Sequence, residues 1–151
     1  MRRLVLSLLL SCHVSGILLC AQGAGQDKVV AQLIAIERAA LDRWAKGDTS
    51  GFIENAAPDI TYFEPSAQRR VDGFDELKRR LEAIRGQFHI DRWEMLNPRV
   101  QKCAHLAVLT FNYVSWTGQS ESRWNATEIY RKTSAGWRLM SSHWSLTQPK
   151  K

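Results

Sequence analysis

The chain has 151 residues, 24% of them charged and 44% hydrophobic, with a formal net charge of +6. That size predicts one domain, and the mix excludes a disordered or fibrous chain. The short basic runs Arg69-Arg70 and Lys78-Arg79-Arg80 stand beside Asp72, Asp75, Glu76 and Glu82 with no interleaved aromatics, so they read as a solvated face rather than a nucleic-acid footprint.

The first thirty residues have their own logic. Arg2 and Arg3 precede an apolar run from Leu4 to Leu19, and Ala21-Gln22-Gly23 supplies the small residues a signal peptidase reads. The run is shorter than the roughly 20 residues needed to cross a bilayer, and His13 and Gly16 interrupt it. Residues 1–23 are therefore expected to be an export signal that is cleaved. This leaves a domain over 24–151, periplasmic or extracellular, with no membrane attachment. Leu9-Leu10-Ser11-Cys12 has the shape of a lipoprotein site, a lesser alternative because the apolar segment continues past Cys12. Cleavage removes two of three cysteines, so Cys103 cannot form an intramolecular disulfide and reads as an inert thiol near a strand start. It also removes two arginines, lowering the charge from +6 to about +4.

Asp27 is a candidate cap for a helix reaching Lys46, with Val29, Leu33, Ile36, Ala40 and Trp44 on one face. Gly47 is its natural stop, and Asp48 caps a short second helix carrying Phe52 and Ile53 that Pro58 ends. Ile60 to Glu64 reads as a strand stopped by Pro65, with Glu64 bridging to a helix capped by Asp72 whose stripe is Phe74, Leu77, Leu81 and Ile84.

After Gly86 the pattern changes to strands. Trp93 to Val100 is one, and Pro98 places it at an edge or a bulge. Leu106 to Trp116 is another, and "RWNATEIYRK" and "GWRLMSSHWSLT" form a hairpin across "TSAG". Helices followed by antiparallel strands predict an α+β fold. Alternation puts Trp124, Glu128 and Tyr130 on one face of their strand, and His143 with Trp137 and Leu139 on theirs, where a lone histidine reads as hydrogen-bonded core.

"ITYFEP", "VDGFDEL", "LNPRV", "ATEIYRK" and "GWRLMSSHWS", in this order, resemble the association (hub) domain of calcium/calmodulin-dependent protein kinase II, within the nuclear transport factor 2-like and polyketide cyclase-like superfamily. The resemblance runs from about Asp27 to Ser145. It implies a cone in which helices pack on a curved sheet around a pocket, and association into homodimers or larger rings. It does not imply kinase activity, since the chain carries no phosphate loop or catalytic-loop motif. The hub pocket is lined by arginines, and the matching positions here are Tyr113, Glu128 and Trp144. That exchange favours a neutral, aromatic or cationic small molecule over a simple carboxylate.

Tyr62, Trp93, Tyr113, Glu128, Tyr130 and Trp144 are thus the candidate ligand-binding residues. Glu128, in mid-strand, is the candidate catalytic carboxylate, its alternative being an ion pair with Arg138 or exposure at a sheet edge. Trp44 and Trp137 fit core positions, which leaves Trp93, Trp116, Trp124 and Trp144 for a pocket or interface. His89 and Asp91 find no partner at metal-ligand spacing, and no metal or cofactor is expected. The reading this supports is an exported, non-kinase, oligomerising and small-molecule-binding domain. The alternative is an isomerase, dehydratase or cyclase using a pocket carboxylate as general base, with an aromatic hydroxyl of Tyr113 or Tyr130 stabilising an oxyanion.

Overall fold

A computed structural model describes residues 15–65 and 67–147, with side chains from Asp27 onward. The order is α1 (Ser15–Ala45), α2 (Ser50–Asn55), β1 (Ala56–Phe63), β2 (Val71–Asp72), α3 (Phe74–Ala83), β3 (Arg92–Cys103), β4 (Leu106–Thr117), β5 (Ser120–Thr133) and β6 (Gly136–Leu146). The six strands form one sheet in the order β2-β1-β6-β5-β4-β3. This is the α+β fold expected from the residues and the cone implied by the resemblance, with one correction: the sheet is mixed, because β1 runs parallel to β6.

Cys12 and the start of the leader lie outside the described residues. α1 is continuous from Ser15 through Asp27, so Asp27 caps nothing. Its packed face is Leu33, Glu37, Ala40 and Leu41, rotated from the expected stripe so that Val29, Ile36 and Trp44 fall on its half-buried flank. α1 ends at Gly47 in the left-handed conformation, its N–H bonded to the Trp44 carbonyl at 2.8 Å. Asp48 does not cap α2: the N-cap is Thr49, and Asp48, one residue earlier, accepts the Ser50 N–H at 3.0 Å.

β1 begins at Ala56 rather than after Pro58. The proline is tolerated because the β1–β6 register breaks between Ala56 and Thr61, and β2 reaches only Thr61 and Tyr62. Asp72 does not cap α3. It pairs with Thr61 in β2, and Gly73, at φ 85°, makes the turn instead and donates its N–H to the Ile60 carbonyl at 2.7 Å. In α3, Leu77 and Leu81 are buried, while Phe74 is half-buried and Ile84 is exposed beyond the helix end.

β3 is the edge strand at one side, and its register shifts between Leu96 and Arg99, at the Pro98 that predicted a bulge. A second irregularity decides the site. On β6 the register jumps from Leu139 opposite Tyr130 to Ser141 opposite Ile129, so Met140 is an extra residue. The bulge reverses the alternation. Trp137 and Leu139 face the core before it, and Ser142 and Trp144 face inward after it. His143 is thereby moved to the outer face, where it is exposed beside the Phe63 ring at 5.5 Å, so the core position expected for it is corrected. Leu33, Leu41, Ile60 and Leu109 are each at most 1% exposed. Burial of each such side chain contributes about 1.5–3 kcal/mol.

Candidate functional site: a cavity backed by a buried acid pair

Between α1, α3 and the concave face of the sheet lies a cavity of about 710 Å³. Leu41, Trp44 and Phe52 close it on the side of α1 and α2, and Leu77, Leu81 and Ile84 on the side of α3. The sheet contributes Tyr62, Tyr113, Trp124, Leu139, Ser142 and Trp144. Trp144 stands edge-on to Phe111 and Tyr113, with ring centroids at 5.5 and 5.4 Å, a geometry that fixes its plane against the wall.

Charge is confined to the rim. Arg80 of α3 donates to Glu64 at 3.0 Å and to Glu76 at 2.7 Å, and Arg79 also donates to Glu76 at 2.7 Å. Glu64, expected to serve the chain turn alone, therefore also stands in the cavity wall. Its backbone carbonyl does serve the turn, accepting the Ala67 N–H at 3.1 Å.

Of the six candidate residues, Tyr62, Tyr113 and Trp144 line the cavity, while Trp93, Glu128 and Tyr130 sit behind the wall. Trp93 backs Tyr113 in a stacked arrangement, centroids 5.9 Å apart. Tyr113 is 3% exposed, and its hydroxyl lies beside the Ser115 side chain without a hydrogen bond of ordinary geometry. Burial pushes its proton affinity well above the usual range, so it is a neutral donor. Trp44, assigned to the core by its spacing, packs against the core and also lines the cavity wall. Trp116 lies outside, its ring capped by the Arg92 guanidinium at 3.6 Å.

Glu128 is fully buried. Its Oε1 accepts the Trp144 indole N–H at 2.6 Å and the Ser142 hydroxyl at 3.0 Å. The expected alternatives are not met: Arg138 donates to the Trp137 carbonyl, and β5 is an interior strand rather than a sheet edge. Burial raises the Glu128 proton affinity well above the usual carboxylate range, and the charge of Glu37 adds to the effect.

Glu37, on α1, is the residue that sequence reasoning missed. It is fully buried and accepts the Tyr130 hydroxyl at 2.5 Å. Burial pushes it up to about 7, opposed by the Tyr130 hydrogen bond. A signal was available: Glu37 lies four residues from both Leu33 and Leu41, in the middle of the packed face. Cys103 is exposed at the end of β3, opposite Leu106 where β4 starts, as expected, and lies away from this assembly. Among the described residues, no group of three His, Cys, Asp or Glu side chains could hold a metal ion.

A helix-fronted, curved six-stranded sheet with an inward apolar cavity is the architecture of the nuclear transport factor 2-like fold. The chain belongs to the SnoaL-like domain family, whose model matches residues 35–149. A solved candidate ketosteroid isomerase from Parabacteroides distasonis is 33% identical, with a TM-score of 0.70 over 78% of this chain and 86% of that one. The CaMKII hub of S. rosetta (21% identical, TM-score 0.64, 76% and 94% covered) shares the fold. So does a candidate dehydratase of the same fold from Streptomyces avermitilis (21% identical, TM-score 0.69, 82% and 99% covered). No curated protein matches the chain.

Proposed function

We propose that this chain is a small-molecule-binding SnoaL-like protein that seats a largely apolar, ring-bearing ligand in the cone cavity, and that it acts as an exported, self-associating, non-kinase domain. The cavity carries the reading. Its 710 Å³ lies within the range of small-molecule sites, and its wall is mostly aromatic and aliphatic with a few convergent polar groups. The rim arginines are already engaged by Glu76 and Glu64, so a carboxylate ligand meets cations whose donors are in use. A neutral or cationic ring compound fits better, with an acceptor oxygen placed against the Tyr113 hydroxyl.

The test is ligand-observed NMR on the purified chain with matched neutral, cationic and anionic ring compounds. Neutral and cationic members should bind, and Tyr62→Ala or an Ile84→Trp plug at the mouth should weaken them by about tenfold, roughly 1.4 kcal/mol. Equal binding by all three classes, or binding untouched by both variants, would overturn the reading.

The likeness to the candidate ketosteroid isomerase favours a second reading, an acid–base enzyme working in the same cavity. Glu128 does not open into that cavity and its proton affinity is raised, so the group placed to touch a substrate oxygen is Tyr113 rather than Glu128. Turnover of any compound that binds, abolished in Tyr113→Phe, would favour the enzyme.

Export and assembly are further parts of the proposal. Cleavage after residue 23 would start α1 near Ala24 and leave its packed residues, from Leu33 onward, in place. Several solved structures of this fold are hub or association domains, which supports self-association. Light scattering after size-exclusion chromatography should give a dimer or larger ring at micromolar concentration, and a clean monomer would refute that part.

A further inference from the structure

Among the described residues Glu37 and Glu128 are the two fully buried acids, and the ion pairs there include neither of them. Each has one satisfied oxygen and one unsatisfied oxygen. Glu37 Oε2 accepts from Tyr130, and Glu128 Oε1 accepts from Ser142 and Trp144. Glu37 Oε1 and Glu128 Oε2 are buried without a partner. The groups around them are Glu37 on α1, Glu128 and Tyr130 on β5, and Ser142 and Trp144 on β6. Tyr62 on β1 also feels the charge of Glu128. None of these is a cation. Two charges in that setting would be uncompensated, and each bare oxygen would lack the donor it needs.

We propose that Glu37 and Glu128 act as one acid pair that keeps a single shared proton at neutral pH, and that Glu37 thereby sets what the cavity wall offers a ligand. The connection is Ser142. Its hydroxyl stands in the cavity wall and donates inward to Glu128 Oε1. A hydrogen bond to a charged carboxylate is about twice as strong as one to a neutral group. While Glu128 carries the negative charge, Ser142 is held inward. When the proton resides on Glu128, that hold weakens and the hydroxyl is released toward an acceptor on the ligand. Trp144 responds to the same event, because its N–H is bonded to the same oxygen while its ring faces the ligand space. Raised proton affinities for both acids, caused first by burial, agree with this geometry. Glu37 is in this sense a positioning residue: it does not line the cavity, and it acts through Glu128.

The ligand half of the proposal rests on the small-molecule reading above, whereas the proton-sharing half does not. The experiment therefore uses the apo chain: carboxyl-carbon NMR of glutamate-labelled protein, followed from about pH 4 to about pH 9 to bracket the ordinary carboxylate range and the region above it. Two resonances should titrate together, with one step well above the ordinary range. Glu37→Gln, nearly isosteric, should move the Glu128 step down by about one unit, the scale of a coupled pair. The Trp144 indole resonance should follow the same pH curve and lose it in Glu128→Gln. Two independent titrations in the ordinary range would overturn the proposal, as would a Glu128 curve unmoved by Glu37→Gln. Should Glu37→Gln fail to fold, Glu128→Gln gives the reciprocal measurement on Glu37, with the same criterion. If the shared proton is found and no panel compound binds, the fault lies with the ligand reading and not with the pair.

Discussion

Glu37→Gln raises stability at about pH 8 while leaving it nearly unchanged at about pH 4, so the two unfolding curves separate as pH rises. Burial beside a second acid pushes the Glu37 carboxyl up from the ordinary 4.5 to about 7 in the folded chain. Between those values the native state binds more protons than the unfolded state. Stability therefore falls as pH climbs through the window, and it levels off once the folded group has ionised. A shift of that size corresponds to about 3 kcal/mol, at 1.36 kcal/mol per unit. The variant removes the titration. Its amide keeps an acceptor for the Tyr130 hydroxyl and adds a donor where the unsatisfied oxygen stood. Urea unfolding at the two pH values measures the effect. Parallel losses for both proteins across the window would show that Glu37 does not carry the pH dependence.

This pair also marks the limit of what the residues disclose by themselves. β4, β5 and β6 are legible because their alternation is long and strong, and β5 places Glu128 on the inward face with Trp124 and Tyr130. His143 is not, because a single extra residue, Met140, exchanges the two faces of β6, and nothing in its local alternation announces that exchange. Glu37 is hidden for a different reason. Reading helices by apolar spacing skips a carboxylate, although burial here follows position on the helix rather than hydropathy. The two-residue strand β2 is too short to leave a pattern, and β1 begins before a proline that normally excludes a strand. The cavity is intermediate. Tyr62, Tyr113 and Trp144 were accessible through resemblance to a family with a pocket, but the division into wall and backing depends on side-chain depth. So does the double role of Glu64, whose place beside Pro65 points to the turn and whose contact with Arg80 lies sixteen residues away.

Gly47→Ala destabilises the fold by about 2–4 kcal/mol, and the loss comes from two separable causes. Gly47 sits at φ 77°, a left-handed conformation that costs a residue with a Cβ about 1–2 kcal/mol. A Cβ there also meets the Phe88 carbonyl oxygen at 2.7 Å and the Gly86 Cα at 3.2 Å, both backbone atoms that no rotamer change can clear. That contact is where three parts of the cone join. The Gly47 carbonyl accepts the Gly86 N–H at 2.9 Å, the Ile90 N–H reaches the Ala45 carbonyl at 2.8 Å, and Phe88 packs on Trp44 with centroids 4.6 Å apart. Moving Phe88 outward loosens Trp44, Ile84 and Ile90 together, and all three line the cavity. Gly118→Ala is the matched control. It has φ 57° and nothing within 4 Å of an added Cβ, so it carries the backbone cost alone. Urea unfolding of both variants should show Gly47→Ala the more damaging by at least about 1 kcal/mol, with weakened ligand binding in that variant only. Equal losses would mean the joint between α1 and the Gly86–Ile90 segment yields without resistance, and the back wall of the cavity would then owe its shape to α3 and the sheet.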